Sequence, residues 1–256
     1  MNTLRLLLFI VLLLTLPAGI AAPIDQNLPQ ELDVFYGHLS AGETTHHEFL
    51  VDPMAKLVVS VTGGNSSGYW WDIGWVVCVD PTDQRINSRE LATVSRARVV
   101  EQFEMGQDFK VLAPLVIDNP SPGRWRCELG LSEHESPTTY QMAVWAMDSV
   151  YQVFVQRPQQ VKSGQPVQFE VTVLRQAVPV TGVSVEGKGS PFMGVPDLVA
   201  FYDDATHGDT TASDGRYTTV LNPLTTQTTL WVFPIAVTDH QHFQRQVPGG
   251  LWVERP

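Results

Sequence analysis

From Asp33 to the C-terminus the chain alternates apolar and polar positions in short runs, each closed by Gly, Pro, Asp or Ser. "DVFYGHL", "THHEFLV", "KLVVSVTG" and "IGWVVCVD" open the series, and "FKVLAPLVID", "GRWRCELGL" and "TYQMAVWAM" continue it. Alternation of period two, rich in β-branched and aromatic residues, is the pattern of half-buried strands, and the closing residues are turn formers. One stretch, "SRELATVSRARVVEQFEMG" (88–106), reads equally as a helix capped by Ser88 or as two strands, and the sequence does not choose. Leu91, Val94 and Arg98 fall near helical spacing there. Close to Met147 the register restarts. In "VQFEVTVL", Val167, Phe169, Val171 and Val173 point one way while Gln168, Glu170 and Thr172 point the other. "GVSVEG", "LVAFYDD", "RYTTVL", "TLWVFPIAV" and "GGLWVERP" follow. This punctuation predicts an all-β chain of two tandem antiparallel β-sandwiches, over residues 33–147 and 148–256, meeting near Ala146 to Val150.

The N-terminus departs from that pattern. Arg5 precedes an apolar run from Leu6 to Leu16, followed by Pro17 and small residues, which is the layout of a secretory signal peptide. The run is shorter than the ~20 residues a membrane span needs. The expectation is a leader over residues 1–21, cleaved after Ala21, then a polar, proline-spaced linker over 22–32. No second apolar stretch of membrane length follows, so the mature chain is expected to be secreted, periplasmic or extracellular, with no transmembrane segment after cleavage. A net charge of -11 argues against nucleic acid, whose backbone demands a basic footprint, and against anionic lipid.

Export changes the meaning of the two cysteines. Cys78 in "GWVVCVDP" and Cys127 in "GRWRCELG" sit in strand-like runs, and an oxidising destination favours a bond between them. Closing a loop of about fifty residues stabilises by roughly 4 kcal/mol in the loop-entropy model. Upstream, "YWWDIGW" places three tryptophans and a tyrosine in seven residues. On a strand, Tyr69, Trp71, Ile73, Trp75 and Val77 share one face, expected to be the core face, and Trp70 points the other way as the candidate for ligand stacking.

The densest candidate chemistry is "DDATHGDTTASDGRYT", with Asp203, Asp204, Asp209 and Asp214 in one glycine-broken loop. Calcium takes six to eight oxygens at ~2.3–2.6 Å, which carboxylates and hydroxyls can supply. The EF-hand spacing is absent, and Asp, Ser, Thr and Gly are equally the residues of self-capped turns. The loop is expected to be a structural bend first, with the four aspartates as candidate ligands of a structural calcium, and no cofactor required. "DGRY" suits a turn that delivers Tyr217 into the next strand with its hydroxyl tied back to the backbone.

Two resemblances rest on these segments. "LSAGETTHHEFLVD", "KLVVSVTGG", "WDIGWVVCVDP", "IDNPSPGRWRCEL" and "YQMAVWA", in that order from Leu32 to Met147, resemble the bacterial pre-peptidase C-terminal domain. Members often carry paired aspartates in the third segment; Asp72 fits the first position but Gly74 replaces the second, so no metal site is carried over. From Val150 to Glu254, the aspartate pair, the Gly-Asp, "DGRYT" and the closing "HFQRQVPGGLWV" resemble Ig-like modules of calcium-activated chloride channel regulators and of exported choice-of-anchor X proteins. The resemblances imply a jelly-roll-like sandwich followed by an Ig-like one, both extracellular and noncatalytic.

Motifs for catalysis are missing from the sequence: there is no G-x-S-x-G elbow and no H-E-x-x-H, and "GKGSP" lacks phosphate-loop spacing. His46 and His47 are adjacent and face opposite sides of a strand, while His240 and His242, near Asp239, form half of a metal site at most. "NSS" at Asn65 is a formal glycosylation acceptor. The functional expectation is an exported binding or adhesion-type protein recognising a protein, a glycan or a cell-envelope component. The alternatives are an accessory or inhibitory module for a secreted hydrolase, and an enzyme with a site in the cleft between domains.

Overall fold

The structure is a computed structural model that describes residues 29–64, 75–88, 96–99, 102–104, 110–112, 114–133, 136–158, 160–188, 198–223 and 228–255. Asn65, Trp70 and the leader therefore lie outside the described residues. Among those described, every regular element is a strand.

Among the described residues, eleven strands precede the joint: β1 (Gln30–Leu39), β2 (Thr44–Val51), β3 (Lys56–Gly64), β4 (Trp75–Val79), β5 (Arg85–Asn87), β6 (Ala97–Val99), β7 (Gln102–Glu104), β8 (Lys110–Leu112), β9 (Leu115–Asp118), β10 (Gly123–Gly130) and β11 (Thr138–Met147). One sheet has the order β1-β11-β3-β9-β6 and the other β2-β10-β4-β5, while β7 and β8 pair with each other. Successive strands mostly change sheet, which is the nested order of a jelly roll. β1 begins at Gln30, so the last residues of the expected linker belong to the first strand, and Leu32 is in the core. In the described part of 88–106 the regular elements are strands, β6 and β7, with Ser88 and Arg96 in turns.

Nine strands follow among the described residues: β12 (Tyr151–Gln156), β13 (Gln160–Lys162), β14 (Val167–Arg175), β15 (Val178–Pro179), β16 (Ser184–Gly187), β17 (Val199–Ala200), β18 (Arg216–Leu221), β19 (Thr229–Thr238) and β20 (Gln244–Glu254). β14 carries β12 on one side and β18 and β15 on the other. The facing sheet is β13-β20-β19-β16-β17, with β13 parallel to β20 and the remaining pairs antiparallel. The chain thus changes sheet between β12 and β13, an Ig-like arrangement. Val167, Phe169, Val171 and Val173 all face the core, as their alternation requires.

Each sandwich has its own apolar cluster, one spanning Leu32 to Ala146 and the other Tyr151 to Val253. In the first, Cys78 and Cys127 are directly opposed on β4 and β10, with Cα atoms 4.0 Å apart, and are joined by a disulfide in the core. Trp125 lies fully buried beside them and donates its indole N–H to the Ser121 carbonyl at 2.8 Å.

The bond also fixes the parity of β4, and this corrects the aromatic-face reading at Trp75 and Val77; Tyr69, Trp71 and Ile73 lie outside the described residues. Cys78 is in the core cluster and the partly buried Val76 packs against it, so Trp75 and Val77 point to the other face of their sheet, where Trp75 is half-buried and Val77 is covered. "WVVCV" is apolar at every position, and alternation alone could not choose its inward side. Trp75 rests on Gly130, its register partner, where a Cβ would meet the indole at 2.3 Å.

Candidate functional site

β1 and β2 are outermost in their respective sheets. An open edge presents unpaired backbone N–H groups that must be covered or paired. Here β20 of the second sandwich lies across both strands and supplies side-chain amides in place of another strand. Gln246 Oε1 accepts the Val34 N–H at 3.1 Å, and Gln244 Oε1 accepts the Leu50 N–H at 2.8 Å. The Gln244 amide donates in turn to Asp33 Oδ2 at 2.8 Å. From the other direction, Gln30 Oε1 of β1 accepts the Val153 N–H of β12 at 3.2 Å.

Arg245 sits at the centre of this joint with its side chain 0% exposed. It forms an ion pair with Asp52 at 2.8 Å, also 0% exposed, and donates to Gln30 Oε1, Ser149 Oγ and the carbonyls of Gln244 and Tyr151. The four hydrogen bonds engage all three nitrogens of the planar guanidinium, while Asp52 Oδ1 meets it as an ion pair without a hydrogen bond of its own. Ser149, in the connection between the sandwiches, donates to Asp52 and accepts the Tyr151 N–H at 2.9 Å. The connection is also held by its backbone: the Val150 N–H reaches the Pro53 carbonyl, and the Ala55 N–H reaches that of Met147, each at 3.1 Å.

Beside the joint lies a cleft of about 330 Å³ with walls from both sandwiches. Leu32, Leu50, Pro234 and Ala236 give it aliphatic surface, and Asp33, Arg124, Lys188 and His240 bring charge or polarity. Burial raises the Asp33 carboxyl above its ordinary range, against the Val34 N–H, the Gln244 amide and the charge of Lys188. Glu31 is pushed up to about 8, by burial first and by the Asp33 charge second. A carboxyl raised in the folded state contributes stability that is present below pH 4.5 and lost as pH rises towards 8. Glu31→Gln is therefore expected to flatten the stability profile across that window and to stabilise the protein at pH 8 by on the order of 2 kcal/mol. Urea titrations of both proteins at three pH values check this; parallel profiles would contradict it.

The acidic loop is a separate feature that precedes β18. Asp203 caps the N–H groups of Asp214 and Gly215, and Asp204 caps that of Thr206. Asp209 caps Ala205 and Thr211, which hold its carboxyl below the usual range, and Asp214 caps Arg216. Gly215 has φ +80°, and a Cβ there would strike Pro179 at 2.8 Å. Each aspartate is thus engaged by its own nearby amides. Among the described residues no three of His, Cys, Asp and Glu are grouped to hold a metal ion. The loop delivers Tyr217 into β18, where its hydroxyl donates to the Val180 carbonyl at 3.0 Å and accepts the Val183 N–H at 3.2 Å.

The histidines are likewise separated. His47 stacks on Phe35 and bonds the Tyr140 hydroxyl at 2.7 Å, while His46 is exposed. His242 pairs with Asp239 at 2.9 Å, and Asp239 Oδ1 caps the N–H groups of Gln241, His242 and Phe243, so that group is a turn. His240 lines the cleft instead. The residues that join the sandwiches, Gln30, Asp52, Gln244 and Arg245, carry no local sequence signal, because their partners lie up to 215 positions away.

Comparison with known proteins adds little. No family model matches the chain, and no curated protein does. Among solved structures, it is similar to a superoxide reductase (neelaredoxin) from Ignicoccus hospitalis, with 17% identity and a TM-score of 0.27 over 40% of this chain and 80% of that one. It is also similar to two structures of Salmonella alpha-2-macroglobulin. The Y1175G mutant gives 11% identity and a TM-score of 0.30, and the methylamine-reacted form gives 12% and 0.27. The chain spans 16% of the length of each macroglobulin chain.

Proposed function

We propose that this chain is an exported, noncatalytic binding protein that takes its ligand in the cleft between its two sandwiches. The observation that carries the reading is the cleft itself, which draws its walls from both sandwiches beside a joint held by a buried ion pair. Ligand sites favour domain interfaces, and a site on rigid elements loses little entropy on binding. A disulfide in the first core suits an oxidising compartment, and among the described residues no helix is long and apolar enough to cross a membrane. The ligand belongs to a protein, glycan or envelope component outside the cell. Titrating the isotope-labelled mature protein with trial peptides and glycans tests this by NMR. Shifts centred on Leu50, Lys188, Ala236 and His240 support it; a footprint elsewhere, or conversion of the ligand, would overturn it.

The acidic loop, in this reading, is a bend held by its own caps, with calcium as an added stabiliser only if its aspartates turn towards an ion. The expected melting temperature is the same in chelator and in millimolar calcium. A calcium-dependent rise that disappears in Asp209→Asn plus Asp214→Asn would make the loop a metal site instead.

A further inference from the structure

Resting on that reading of the cleft, we propose that its ligand is a short peptide segment bearing a carboxylate, held by Lys188 and Arg124 above an aliphatic floor. The chain is strongly acidic, with a net charge of -11 and only 16 lysines and arginines, yet both sandwiches bring a cation to this one cleft. Arg124 comes from β10 and, among the described residues, its ion pair is with an exposed carboxylate, Glu48, at 3.4 Å, a solvated pair of small worth. Lys188 follows β16, is exposed, and forms no ion pair among the described residues. The carboxylate of the cleft itself is occupied: Asp33 accepts the Val34 N–H and the Gln244 amide, each at 2.8 Å.

That leaves two cations from opposite sandwiches beside one tied carboxylate, a balance that suits a monoanion better than a phosphate dianion. The remaining lining selects between carriers of the charge. Leu50, Pro234 and Ala236 are aliphatic, and among the described residues no Phe, Tyr or Trp lines the cleft to stack on a sugar face; the one aromatic ring there is the small, polar imidazole of His240. Aliphatic side chains of a peptide match that floor. A volume of about 330 Å³ lies at the small end of ligand sites and fits two or three residues rather than a folded partner.

The test uses the mature protein with acetyl-Leu-Ala-Glu-amide, its glutamine counterpart and trigalacturonate, followed by calorimetry and by NMR footprint. The glutamate peptide is expected to bind at the cleft about tenfold more tightly than the glutamine peptide, with affinity falling as salt rises. Lys188→Gln and Arg124→Gln should each weaken it about fivefold, and Glu48→Gln, which releases Arg124, should tighten it. All three side chains are solvent-facing, so the variants retain the fold. Equal binding of both peptides in the cleft would overturn the carboxylate class while leaving the binding site standing. Preference for trigalacturonate would overturn the peptide and assign an acidic glycan. No footprint in the cleft from any probe would overturn both the ligand class and the site.

Discussion

Arg245→Met is expected to lower the stability of the whole chain by about 3–5 kcal/mol, the usual result of leaving one member of a buried ion pair alone. Asp52 would remain fully buried with Ser149 as its neighbour and no counter-charge. Gln30 and the Tyr151 carbonyl would lose a donor at the same time. Because these groups bridge the sandwiches, the loss should also change the form of unfolding, separating one cooperative urea transition into two. Adding Asp52→Leu should recover part of the loss, since two apolar residues can replace a buried pair. Chemical denaturation of the parent, single and double variants measures all three terms. A cost under about 1 kcal/mol for Arg245→Met would mean that the pair is solvated and the joint loose.

Removing the disulfide ranks next. Cys78→Ala with Cys127→Ala is expected to cost about 2–5 kcal/mol, through the freed loop in the unfolded chain. Two sulfurs are also lost from a core that includes the fully buried Trp125. The two strands remain paired by their ladder, so the fold should persist with a lower midpoint. Thermal melts with and without reductant check the same point in the parent protein. A melting temperature insensitive to reductant and to the double substitution would contradict it.

Local chemistry was readable before the structure, and long-range chemistry was not. Val167 to Val173 declare their inward face because polar residues separate them, whereas Trp75 to Val79 are apolar throughout and needed the cross-strand bond to set their parity. The tie of Tyr217 follows from the turn just before it, a local cause. The cysteine pair was legible because the export expected from the N-terminal pattern would leave two cysteines few other roles. The joint was not, since glutamine and arginine on a strand look like solvent-facing residues until another sheet edge arrives to need their amides. Asp80 is hidden in the sequence for a similar reason: in "VDPTDQ" it reads as a turn residue, while its partner Arg96 lies sixteen positions away. Burial raises its carboxyl, but the Thr82 hydroxyl, the N–H groups of Gln84 and Thr82, and Arg96 outweigh that and hold it below the usual range.

The binding proposal requires the two sandwiches to behave as one body, and residual dipolar couplings measured for the protein in a dilute alignment medium address that most directly. Couplings from β14, β18 and β19 and those from β3, β10 and β11 should fit a single alignment tensor in the parent, and two tensors of different magnitude in Arg245→Met. Two different tensors in the parent itself would show that the sandwiches move independently, and the cleft could not then be a preformed site.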